Sequence, residues 1–178
     1  MATARKATKN TVARKSPATA RAAMSDATLL LMRDHAEVKK LFKQYEKLAD
    51  AAADGEERRA LAQQICAMLT VHATIEEEIF YPAARDAEID SDLLDEAEVE
   101  HASAKDMIAQ IEGMEPDDAL YDAKVTVLGE YIDHHVQEEE GEMFPKCRKA
   151  GMDLADLAQQ LSARKEELLE EQGEGQPA

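Results

Sequence analysis

"HHVQEEEGEMFP", residues 134–145, sets two histidines one helical turn ahead of a run of carboxylates and ends on an aromatic and a proline. Side chains four residues apart share a helix face, so His134 pairs with Glu138 and His135 with Glu139. The choice between these pairs comes from another part of the chain. "HATIEEEIFYP", residues 72–82, aligns with residues 135–145 without a gap, setting His72 on His135, Glu76 on Glu139, Glu77 on Glu140, Tyr81 on Phe144 and Pro82 on Pro145. The repeated spacing selects His135 with Glu139 as the inward pair. His134 lies ~100° around the helix from His135, so both cannot face one axis.

Outward from these two stretches the helical period continues. "SDATLLLMRDHAEVKKLFKQYEKLAD" opens on capping residues and repeats Met32, Val38, Phe42, Tyr45 and Leu48 on one stripe, with His35 among them. The helix ahead of Pro82 carries Leu61, Ile65, Met68, His72, Glu76 and Ile79 on one face. A third, "SDLLDEAEVEHASAKDMIAQIEGMEP", has Leu94, His101, Ile108 and Ile111 in phase, and Gly113 with Pro116 ends it. The fourth brings Val125, Leu128, Ile132, His135 and Glu139 to one side. The short connections predict an all-α, up-down-up-down four-helix bundle over residues 25–146. Residues 147–178 add a shorter amphipathic C-terminal helix over one end or flank, then a polar tail with Gly173, Gly175 and Pro177.

The chain has 178 residues, room for one domain with a real core. Six of its 21 basic residues and none of its 38 acidic ones lie in residues 1–24, so the remainder is strongly acidic and attracts cations. That first segment holds almost no large apolar residue and reads as a disordered basic arm. Contact with nucleic acid, contact with the acidic body, an organelle-type leader and a dispensable extension all suit it. No apolar run approaches the ~20 residues that span a bilayer, and no charged-then-apolar leader precedes the body. A soluble, cytoplasmic protein is expected, with Cys66 a small core residue beside Ile65 and Met68. Neither cysteine has a companion motif for an activated nucleophile, and no glycine-rich phosphate loop is present.

One histidine on an apolar stripe is usually a hydrogen-bonded core residue. Here four of the chain's five, His35, His72, His101 and His135, fall on the inner faces of four helices, two of them with a carboxylate one turn on. Buried Glu76 and Glu139 need a partner, and imidazole with carboxylate in a bundle interior suits iron, manganese or zinc. Glu77, Glu78, Glu138 and Glu140 read as the solvated side of the same helices.

"MRDHAEV", "HATIEEEIFYP", "VEHASAK" and "HHVQEEEGEMFP" together resemble the hemerythrin-like, HHE cation-binding domains over residues 25–146. The resemblance implies a non-haem di-iron centre: His35 and His72 on one iron, His101 and His135 on the other, Glu76 and Glu139 bridging. It implies a small ligand such as dioxygen, nitric oxide or peroxide. The family's oxygen carriers have a further histidine where this chain has Lys105, which lacks a lone pair. Glu98, one turn before the third-helix site, or water would fill that position, or the lysine points to solvent and leaves it open. That departure favours sensing, iron handling or slow peroxide turnover over stable oxygen carriage. A di-iron peroxidase or catalase-like enzyme, and a metal-free interaction module whose arm binds nucleic acid, are the competing readings.

Overall fold

The structure, a computed structural model, describes residues 26–174. The expected arm at residues 1–24 and the end of the polar tail lie outside the described residues. Helix α1 (Ala27–Asp50) opens at Asp26, whose carboxylate accepts from the Thr28 N–H at 2.9 Å. Asp54 caps α2 (Gly55–Ile75) in the same way, accepting from the Glu56 N–H at 2.9 Å. A π-helical turn, Glu76–Phe80, joins α2 to α3 (Tyr81–Asp86). After α4 (Ser91–Glu112) and α5 (Tyr121–Glu138), a second π-turn, Glu139–Met143, leads into α6 (Phe144–Ala150). Gly151, at φ 74°, takes the left-handed conformation that ends α6 and turns the chain into α7 (Leu154–Glu174).

Helix α1 packs against α2 and α5, and α4 packs against the same two, which closes a four-helix ring of up-down-up-down order. Among the described residues there is no strand, and no helix is long and apolar enough to cross a membrane. The expected C-terminal helix is present and covers a flank, lying along α1, α2 and the first π-turn. It runs through Gly173 rather than stopping before it.

The buried stripe of α1 differs from the expected one. Val38 and Tyr45 are buried as expected, but Leu31 and Leu41 replace Met32, Phe42 and Leu48, which are partly exposed. Contacts with α2, α5 and α7 at once turn the helix so that its buried arc is centred on His35. Where α1 meets α5 the helices approach closely over Gly129. A Cβ there would stand 2.9 Å from the Phe42 ring.

Two apolar clusters fill the bundle. One, around Leu31, Ile75, Phe80, Leu94 and Phe144, includes Leu157 and Leu161 of α7. The other, around Val38, Tyr45, Ile65, Ile108 and Leu128, fills the opposite end and holds Cys66, buried and unpaired as expected. That end is fastened by polar contacts. Asp122 accepts from the buried Tyr45 hydroxyl at 2.6 Å and from Arg58 Nη1 at 2.8 Å, and the same Nη1 donates to the Pro116 carbonyl at 3.0 Å. Asp122→Ala orphans the tyrosine hydroxyl and one face of the guanidinium. We expect it to lower stability by about 1–3 kcal/mol, read as a lower urea midpoint with an unchanged slope.

Candidate metal centre

Between the two apolar clusters lies a polar layer. His35 comes from α1, His72 from the last turn of α2, His101 from α4 and His135 from the last turn of α5, and all four are buried. Glu76 and Glu139, first residues of the two π-turns, are 0% and 1% exposed. The six residues singled out in the sequence therefore converge. His35 Nε2 stands 3.0 Å from His72 Nε2, and His101 Nε2 stands 3.1 Å from His135 Nε2. Each carboxylate reaches one histidine of each pair. Glu139 Oε2 is 3.2 Å from His35 Nε2 and 3.5 Å from His135 Nε2. Glu76 Oε2 is 3.2 Å from His72 Nε2 and 3.5 Å from His101 Nε2.

The π-turns place these carboxylates. In each, the backbone N–H of the aromatic residue five positions on bonds the glutamate carbonyl, Tyr81 to Glu76 and Phe144 to Glu139. One extra residue per turn shifts the register of everything after it. Phe80 is fully buried where a regular helix would bury Ile79, which is partly exposed. The helices were expected to stop at Pro82 and Pro145. They run on to Asp86 and Ala150, because a turn that has already abandoned its i→i−4 bonds loses little to a residue without an N–H.

The outer ring nitrogens are held by acids. His35 Nδ1 donates to Glu140 at 2.9 Å, His101 Nδ1 to Glu77 at 2.9 Å and His135 Nδ1 to Glu100 at 2.7 Å. Asp34 Oδ2 lies 3.5 Å from His72 Nδ1. Donation through Nδ1 leaves the Nε2 lone pair pointing inward. Glu77 and Glu140, expected on the solvated side, instead orient histidines of neighbouring helices, because the π-turn swings them out of the outer face. Asp34 and Glu100 were missed altogether. Their one signal was an acid immediately before His35 and before His101.

Lys105 points outward and donates to Glu77 at 2.5 and 2.7 Å, steadying the carboxylate that holds His101. Glu98 does not approach the layer; it is exposed and bound to Arg85 at 2.8 Å. The buried Tyr81 hydroxyl stands beside the His101 pair. It donates to Glu139 Oε1 at 2.9 Å and lies 3.2 Å from His101 Nε2.

Among the described residues, both oxygens of Glu76 and Oε2 of Glu139 are buried without a hydrogen-bond partner. Ionised carboxylates in that state are costly unless a cation meets them. The donors fit one. His35, His72, Glu76 and Glu139 form one group, and Glu76, His101 and His135 another, with the donor atoms of each group within 4.8 Å of one another. Nε2 atoms ~3 Å apart match two bonds of ~2.1 Å meeting at a right angle. Without an ion, protons answer the same demand. Burial pulls the His72 imidazolium down, yet Glu76 and Asp34 push it up to about 10. For His135, burial is outweighed by Glu139 and Glu100, and the value rises to about 8. Burial also works against the Glu139 carboxylate, but His135 and His35 hold it well below the usual range.

The family model of the hemerythrin HHE cation binding domain matches residues 26–147, and the chain belongs to that family. Among solved structures, the chain is similar to a hemerythrin HHE cation-binding domain-containing protein from Mycobacterium kansasii. That chain is 24% identical with a TM-score of 0.67, over 80% of this chain and 86% of that one. No curated protein matches. Helix α7 lies beyond the segment matched by the family model.

A pH dependence follows for metal-free protein. The folded His72 value near 10 exceeds its unfolded value of ~6.5, so its contribution to stability is full below ~6.5 and is lost as pH rises through about 10. Glu139 acts oppositely, contributing above its unfolded value of ~4.3 and losing that contribution in acid. The melting temperature of chelator-treated protein is expected to fall from pH 7 to pH 10. A flat profile there contradicts the charge assignment.

Proposed function

We propose that this member of the HHE cation-binding family is a non-haem di-iron protein that responds to a small ligand, dioxygen, nitric oxide or peroxide, or to iron supply. The observation that carries the reading is the pairing of four inward imidazole nitrogens with two buried carboxylates lacking hydrogen-bond partners. In this reading His35 and His72 hold one ion, His101 and His135 the other, and Glu76 and Glu139 are shared. Imidazole and carboxylate also accept manganese or zinc, so iron is the proposal and not a consequence of the donor set. Bound iron supplies one-electron redox chemistry and a coordination position open to a small ligand.

The chain's own residues prepare that position. Glu140, Glu77 and Glu100 fix the ring orientations of His35, His101 and His135. Phe144 stacks on His35 with ring centres 5.9 Å apart and planes 8° apart, closing the layer on one side. On the other, a cavity of about 30 Å³ adjoins all four histidines among Val38, Leu69, Ile108 and Ile132. It admits a molecule of one or two heavy atoms. A wider groove of about 240 Å³ over Gly129 lies on the other face of His35, Val38, Ile132 and Val136, which line both. Lys105, turned outward, leaves the His101 side less fully ligated, which supports sensing, iron handling or turnover over stable storage of a ligand. The two unpaired cysteines suit a cytoplasmic setting.

A second reading, peroxide turnover at the same centre, is favoured by Tyr81. It brings a hydroxyl into the layer where the repeat sets Phe144.

Metal analysis of protein expressed in iron-replete medium, with the absorption spectrum of the oxidised form, tests the main reading. About two irons per chain with visible oxo-bridge bands are expected, as ligand type and bundle position imply. A colourless, metal-free product whose melting ignores added ferrous ion refutes it. Glu76→Gln removes a buried charge. It leaves the buried His72 imidazolium without its carboxylate, so it is expected to lower the melting temperature of metal-free protein at pH 7 and to abolish the rise that ferrous ion causes in the parent. For the second reading, iron-loaded protein should consume peroxide. His72→Ala should abolish this, and Tyr81→Phe should slow it by on the order of tenfold to a hundredfold at unchanged iron content.

A further inference from the structure

The internal repeat makes the two halves of the centre near copies, and their outer flanks differ. Asp34 precedes His35 as Glu100 precedes His101. On the first flank, Asp34 faces His72 with one oxygen and accepts from the Lys165 ammonium of α7 at 2.6 Å with the other. Val71 and Ile75 are buried beside it, and Ile75 packs in one cluster with Leu157, Ala158 and Leu161 of α7. That flank is sealed, and its buried acid is neutralised by a cation carried on a side chain.

Among the described residues the second flank has no such lysine. Helix α7 lies on α1, α2 and the first π-turn, and among the described residues it does not pack along the α4/α5 side. Glu100, its side chain 90% buried, spends Oε2 on His135 Nδ1. Its other oxygen, Oε1, accepts no hydrogen bond among the described residues and faces His134 Nε2 at 3.9 Å. His134 Nε2 is in turn 3.5 Å from Glu138 Oε1. By the repeat, His134 and Glu138 stand where the first flank has Val71 and Ile75. The place that a lysine ammonium fills on one side is thus met on the other by two ligating side chains, one of them 63% exposed.

We propose that Glu100, His134 and Glu138 form a separate cation site on this flank, taking a divalent transition metal such as zinc, ferrous iron or manganese. Their donor atoms lie within 4.8 Å of one another. One imidazole with two carboxylates suits those ions, whereas calcium and magnesium favour all-oxygen sites. The strongly acidic body concentrates cations at its surface. Glu100 makes the site continuous with His135, so an ion arriving from solvent first meets ligands one carboxylate away from the interior layer. The site stands on the flank's own geometry and does not require the interior to hold iron.

Zinc titration of the full chain by calorimetry, with anomalous scattering from zinc-soaked crystals, tests it on wild type, His134→Ala and Glu138→Gln. Both substitutions are outside the buried layer, and unchanged melting of the metal-free variants checks their folding. Wild type is expected to take up one zinc equivalent more than either variant and to show zinc density at Glu100 that both variants lose. Equal uptake by all three proteins, or zinc density confined to the interior, overturns the proposal. Absence of interior density with the flank occupied counts instead against the di-iron reading.

Discussion

Two carboxylates sealed in the middle of an apolar bundle set the terms for the rest of this structure. Glu76 and Glu139 expose almost nothing to solvent, and among the described residues three of their four oxygens accept no hydrogen bond. Desolvating a carboxylate costs several kcal/mol even after relaxation. The fold tolerates the pair only because positive charge is brought to it. Four imidazoles answer that need, His72 and His135 as protonated rings in the absence of an ion, or all four as ligands to a metal. The outer nitrogens of His35, His101 and His135 are in turn bonded to Glu140, Glu77 and Glu100, and Asp34 lies 3.5 Å from that of His72, which makes the rings better hosts for either. The two apolar clusters, above and below, contribute the stability that such a layer consumes.

The layer is assembled from two copies of one device. Each is a helix ending in His-x-x-x-Glu, widened into a π-turn at the glutamate and continued past a proline. A regular helix would carry the residue after the glutamate to the outer face. The additional residue in the turn lets Glu77 reach His101 and Glu140 reach His35, each on another helix. Ligand and orienting acid are thus consecutive residues serving different helices. This explains why a local distortion that costs backbone hydrogen bonds occurs at the same register in both copies.

How much of this could be read from the chain follows from which interactions are local. The inward choice of His135 over His134 was legible because the repeat removes the ambiguity of a single helix, and His35 and His101 followed from their stripes. The roles of Glu77 and Glu140 were not legible, since helical periodicity assigns a fixed 100° per residue and a π-turn breaks that rule. Asp34 and Glu100 each serve a histidine on an adjacent helix, so only tertiary structure shows their use. Tyr81 against Phe144 was visible as a mismatch in the alignment. That its hydroxyl lies beside His101 and Glu139 depended on the same break in register. Leu31 and Leu41 were misjudged for a similar reason. Leu31 is covered by Leu157 and Leu161 of α7, a helix whose docking side periodicity alone leaves open, while Leu41 joins the opposite cluster.

Helix α7 also removes the equivalence that the repeat would impose. It brings Lys165 to Asp34, and an ammonium at 2.6 Å draws that carboxylate outward, leaving it 3.5 Å from His72. Glu100 has no such competitor among the described residues and stands 2.7 Å from His135. A shorter charge-assisted bond fixes the ring more firmly. His135 is therefore the more tightly oriented of the two, while Lys165 sets a positive charge near the His35 and His72 pair. The half beneath α7 nevertheless gathers four donors, His35, His72, Glu76 and Glu139, where the other half gathers three, Glu76, His101 and His135. Two sequence copies become two unequal sites because one flank is covered and the other is not.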